Sequence, residues 1–191
     1  MKTYNYTIVT IILLILLSAC SNDDDNNTAN GEVNIIQSVI AEENLSTISF
    51  LVVSNPPEVE RGVVFSTSIN GEITKIGRSD ITGDATIYRI FDVANHSIIQ
   101  EFTIPDSGVS NMLVLATPIS IEAGKKYIIS SNNTKPYGVS RQDAQDFLPS
   151  SKNNITLEKT VTKDGPPGTL PDAIERYDIL YGVPLFVFSP N

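Results

Sequence analysis

The chain has 191 residues and carries 22 Asp and Glu against 13 Lys and Arg, a formal net charge of −9. That length is a prior for one domain, and so acidic a chain repels phosphate backbones, so no nucleic-acid partner is expected. One His, one Cys and no Trp exclude a His/Cys zinc site and a disulfide within the chain.

Residues 1–19 read as a secretory leader. Lys2 supplies the positive start, residues 8–17 an apolar run broken only by Thr10, and Ser18-Ala19 the small residues at the end. The run is far shorter than the ~20 residues a membrane-spanning helix needs. Ser21-Asn22-Asp23-Asp24-Asp25-Asn26-Asn27 is too polar to continue a packed helix. Leu17-Ser18-Ala19-Cys20 resembles the lipobox of bacterial lipoproteins. The resemblance implies that Cys20 is acylated and becomes the first mature residue. Acyl chains embed at ~0.8 kcal/mol per buried CH₂, so several of them anchor a protein durably. Asp23-Asp24-Asp25 also resembles the acidic signal that routes lipoproteins to the outer face of the outer membrane in some Gram-negative bacteria. Residues 20–32 equally read as a plain solvated tether, because such a segment has too little apolar surface to fold. The two readings are compatible.

From residue 33 onward the chain predicts one β-rich domain, 33–191. Short apolar runs bounded by Gly, Pro, Asn or Asp fall at 34–40, 47–53, 61–66, 72–77, 85–91, 97–104, 111–117, 119–121 and 125–130. Ile48, Phe50 and Val52 share one face of a period-2 pattern, as do Ile98, Phe102 and Ile104. Asn70-Gly71, Asn95-His96 and Pro105-Asp106-Ser107-Gly108 are turn signals. Residues 140–148 predict one or two helical turns, capped by Ser140 and stopped by Pro149. Residues 155–161 alternate again, and 163–171 form a Gly/Pro loop. The run 181–189 suits a strand buried on both faces, while Pro184 points to an edge or a bulge. About nine short strands with turn chemistry between them predict an all-β, antiparallel, jelly-roll-like β-sandwich with one short helical segment. Strands do not alternate with long helical patterns, which argues against a parallel α/β sheet.

Residues 61–131 resemble a bacterial domain of unknown function that is appended to secreted and surface proteins, often beside glycan-related modules. The carrying residues are Phe65, Asn70-Gly71 and Ile73-Thr74-Lys75-Ile76, then Ile87-Tyr88-Arg89-Ile90-Phe91-Asp92. Pro118, Ala123-Gly124 and Tyr127 continue the pattern, and Tyr181-Gly182-Val183-Pro184-Leu185-Phe186 is similar to the family's closing strand. The resemblance implies a jelly-roll sandwich. The family usually carries Trp in two of these strands, and this chain has none. The shared motifs are structural, and no catalytic residue comes with them.

His96 lies in a predicted hairpin turn, a poor place for a triad base, which must be buried and oriented by a carboxylate. Three carboxylate pairs have the residue types for glycoside hydrolysis: Asp80 with Asp84, Asp143 with Asp146, and Glu175 with Asp178. All fall in predicted loops or turns, where solvated carboxylates are the default. Calcium takes six to eight oxygens, and Asp80-Ile81-Thr82-Gly83-Asp84 offers two carboxylates in a turn, so a calcium site is a candidate there. Glycan recognition wants an aromatic platform beside groups that pair with hydroxyls. Tyr88 and Tyr127 stand in strands and read as core. Tyr137 with Arg141, and Tyr177 with Arg176, lie in looser segments and are the ligand-binding candidates. The expected function is a lipid-anchored, surface-exposed, non-catalytic module that binds extracellular glycan. The alternatives are a component of a surface protein complex, with 183–188 as the suspected contact strand, and a glycan-active hydrolase.

Overall fold

A computed structural model describes residues 34–49, 58–78, 86–105, 111–132 and 137–191. Cys20, the leader and the acidic tether lie outside the described residues. Within them the chain forms one helix, α1 (Ile35–Glu42), and thirteen strands.

Seven strands make the larger sheet. β11 (Ile174–Arg176) and β9 (Ser150–Lys152) both pair with β10 (Ile155–Asp164). The sheet then runs through β2 (Val59–Thr67), β7 (Lys126–Ser131) and β4 (Thr86–Asp92) to β5 (Ser97–Ile104). A second sheet orders β13 (Pro184–Pro190), β3 (Gly71–Arg78) and β6 (Asn111–Ile121). A third, smaller one orders β1 (Ser46–Ser49), β8 (Tyr137–Ser140) and β12 (Ile179–Tyr181). Every pairing is antiparallel. The chain changes sheet between β2 and β3, β3 and β4, β5 and β6, and β6 and β7. The two larger sheets are therefore built together, as the all-β antiparallel sandwich reading expects.

Period-2 alternation decides which side chains meet. Val63 and Phe65 of β2, Ile129 and Tyr127 of β7, and Tyr88 and Ile90 of β4 join one core with Ile73, Ile76, Leu185, Phe186 and Phe188 of the second sheet. Phe65 touches both layers, with ring centroids 5.6 Å from Tyr127 and 4.8 Å from Phe186. The intervening residues Val64, Ile128, Phe91 and Val161 face the other way and form a second cluster with Val93 and Leu170. Leu170 belongs to the Gly/Pro segment that follows β10, which thus acts as a strap over the outer face of the large sheet.

Three expectations need correction. Residues 34–40 are not a strand but open α1. The Asn34 side chain accepts from the Gln37 amide (3.3 Å), and Ile35, Ile36 and Val39 are buried at helical spacing. Asn44, at φ 51°, ends the helix. The Asn44 amide donates to Ala41 and the Leu45 amide to Ile40, a Schellman closure. Residues 140–148 are not helical: the Phe147 and Leu148 amides both donate to the Tyr177 carbonyl (3.0 Å each), so they have no intrahelical role. The run 183–188, suspected as an exposed contact strand, is buried throughout, with α1 packed on β13. The Pro184 signal holds, since β13 is an edge strand and its register shifts at Val187/Phe188. β6 runs through Pro118 as a single strand, bulging between Val114 and Ile119.

Candidate functional site

The small sheet has one end where most of the sequence candidates gather. Its register aligns Ser46 with Ser140 and Ser140 with Ile179. Arg141 follows Ser140 and Asp178 precedes Ile179, so antiparallel pairing brings both to the same end. Tyr137 starts β8 opposite Ser49, roughly 13 Å along the strand from Arg141 at ~3.3 Å per residue. The backbone therefore separates Tyr137 from Arg141, and the Tyr137 side chain lies outside the described residues.

Arg141 borders a shallow groove of about 210 Å³, lined also by Glu43, Asn44, Gln142 and Asp143. Its guanidinium forks onto Asp143, Nε to Oδ1 at 3.2 Å and Nη2 to Oδ2 at 3.3 Å, and Nη1 reaches Glu43 at 3.5 Å. Gln142 donates to the Ser46 hydroxyl (3.5 Å) and ties this segment to β1.

Arg176 makes a tighter fork. Nε and Nη2 donate to the two Asp178 oxygens at 2.8 and 2.6 Å. The pairing holds the Asp178 carboxyl below its ordinary pKa and raises that of Arg176. Beside it, the Tyr177 ring is 37% exposed and its hydroxyl donates to Glu175 (3.1 Å). Glu175 also accepts from Lys159 Nζ. Lys159 first and Tyr177 second keep the Glu175 carboxyl low, while the bond to that anion pushes the Tyr177 hydroxyl up. Asp146 lies close enough to raise both Arg176 and Tyr177. The result is an exposed ring whose hydroxyl is tied to Glu175, with the Arg176–Asp178 fork on the residues either side of it in the chain, while the Arg141–Asp143 fork lines its own groove.

The remaining candidates fall elsewhere. Asp80 and Asp84, and with them the calcium loop, lie outside the described residues. Among the described residues no three His, Cys, Asp or Glu side chains gather as a cation cage. His96 is an exposed residue of the β4–β5 turn, at φ 52°. That turn is closed by Asp92, whose carboxylate accepts from the amides of Ala94 and Asn95 (2.9 and 3.1 Å). Tyr88 and Tyr127 are core residues, as expected.

Two features escape a sequence reading. Glu43 and Asn44 reach the groove because the helix stop turns the chain there, and the only signal was Asn44 ending an apolar periodicity. The other is a buried ion pair under the strap. Arg89 Nη1 donates to both oxygens of Glu60 (3.3 and 3.1 Å), with 4% and 0% of the two side chains exposed. The Ser130 hydroxyl (2.5 Å) and the Gly168 amide (3.2 Å) also donate to Glu60. No protein-family model matches the chain, and no curated protein matches its sequence.

Proposed function

We propose that this is a lipoprotein, anchored through Cys20 to the outer membrane and exposed at the cell surface, whose β-sandwich is a non-catalytic module for extracellular glycan. The leader, the Leu17-Ser18-Ala19-Cys20 motif and the three Asp after it support the anchoring and the address. No helix among the described residues is long and apolar enough to cross a membrane.

The observation that carries the binding reading is the exposed Tyr177 ring, set in the chain between the two partners of the Arg176–Asp178 fork. A ring offers a surface for the apolar face of a sugar, and the oriented N–H and carboxylate groups suit hydroxyls. The Glu175 and Asp178 pair does not suit the acid of a glycosidase. A glycosidase acid needs a raised pKa, whereas Glu175 and Asp178 are both held low.

The test is a glycan array probed with the full chain in detergent, with calcium and with chelator. We expect saccharide binding that Tyr177→Ala weakens at least tenfold, about 1.4 kcal/mol, in both conditions. A folded protein that binds no saccharide, or binds it equally well as Tyr177→Ala, overturns this reading. Binding lost with chelator moves the site to the Asp80 and Asp84 loop.

A further inference from the structure

Edge strands carry rows of backbone donors and acceptors with no partner, and proteins blunt them with Pro, Lys, bulges, short length or a covering element. Among the described residues the edges of the two larger sheets differ in this respect. β9 and β11 are three residues each, and β11 carries Glu175 and Arg176. β13 has α1 packed against it. β6 is interrupted by Pro118 and a bulge in which residues 115–118 stand opposite Thr74.

β5 has little of this protection. It is eight residues long, contains no Pro, Lys or Arg, and pairs only with β4 among the described strands. Its one irregularity leaves out Ile99. Residues 100–104 then pair in unbroken register with Thr86 to Ile90. Ile98 and Ile99 are 43% and 41% exposed. The one charge on the strand, Glu101, accepts from Arg89 Nε at 2.8 Å, a guanidinium it shares with Glu60.

We propose that β5 is a self-association edge, taken by β5 of a second copy of this chain. The occupant follows from the chemistry. An open row of amides and carbonyls is satisfied by another strand. Between Ser97 and Ile121 the only charged residues are Glu101 and Asp106, with no base among them. The edge therefore offers no basic row to an acidic partner and little free acid to a basic one. Two chains of charge −9 repel across most of their surfaces, and this sparsely charged flank is where they meet at least cost. Antiparallel pairing of a strand with itself about a two-fold axis is self-complementary and closes as a dimer. It joins two seven-stranded sheets edge to edge and leaves the Tyr177 end of the small sheet outside the contact. The proposal does not rest on the saccharide reading.

The test uses the full chain in its own membrane. Single Cys substitutions at Ile98, Gln100 and Thr103 scan the edge, and Thr117→Cys on β6 is the control. The unsubstituted chain, with Cys20 alone, sets the background. A short bismaleimide should give a band at twice the mass of the anchored chain from at least one β5 position and not from Thr117→Cys. Adding Ile99→Lys, which puts at an exposed side chain the charge that natural edge strands use against pairing, should remove that band while the circular dichroism stays unchanged. No dimer from any β5 position overturns the proposal, and so does equal linking from Thr117→Cys. Linking of β5 only to other proteins overturns it in favour of a different partner. Saccharide binding by Ile99→Lys is read separately, and its loss or retention bears only on the Tyr177 site.

Discussion

Glu60 is fully enclosed, and it is held by Arg89, Ser130 and the Gly168 amide. Burying a carboxylate costs several kcal/mol unless its partners compensate, so removing a partner is far more costly than the pair is worth. Glu60→Gln leaves Arg89 with only the half-exposed Glu101 and weakens the pin on the strap at Gly168. We expect a loss of about 3 kcal/mol in urea unfolding at neutral pH, the lower end of the range for breaking a buried pair. Glu101→Gln should cost under about 1 kcal/mol, because an exposed pair is screened. Equal losses for the two would remove the special standing of the buried pair. Little of this was legible in the sequence. Glu60 occupies an outward position of an alternating strand, which predicts solvent, and only the strap passing over it makes that position interior. The exposed Tyr177 and its Arg176 neighbour were legible, because polar residues flank an aromatic in a segment without apolar period. Tyr137 and Arg141 stand close in sequence, but an extended strand carries them apart.

At the level of elements, β2 to β5 were read to within a residue or two, whereas β6 was read as two runs split at Pro118 and β10 as ending at Val161. Residues 61–66, 72–77, 85–91 and 97–104 became β2 to β5 because each alternates over several periods between turn residues. β8, β9, β11 and β12 are three or four residues long and too short to show a period. Residues 34–40 read as a strand because they are rich in Ile and Val, which favour sheets. The helix wins through tertiary burial of Ile35, Ile36 and Val39 against β13 and through caps at both ends. Ile36→Ala removes a fully buried side chain from that contact. It should cost 2–5 kcal/mol, the usual range for such a cavity, as the shift in the urea midpoint. A cost below about 1 kcal/mol would mean that α1 docks without contributing to the fold.

For the whole molecule, charge sets the response to acid. Asp92 is held low by the Asn95 amide first, Asp172 by Lys163, Glu175 by Lys159 and Asp178 by Arg176. A carboxyl depressed in the folded state adds stability that is present above its unfolded pKa, about 3.9–4.3. That stability is lost as the pH falls through the folded value. Stability should therefore be flat between pH 7 and 5 and decline below about pH 4. Asp178→Asn should shallow the decline, and an unchanged acid limb in urea titrations would show that the Arg176 fork adds nothing. By itself the sequence determined the all-β class and most of the long strands, since alternation and turn residues are local signals, and its leader motif supports the lipoprotein address proposed above. Tertiary structure alone decided that 34–40 coils into a helix, that a strap encloses an ion pair and that β5 pairs on one side only among the described strands. Each of these depends on which distant segment lies alongside, and no local pattern of residues encodes that.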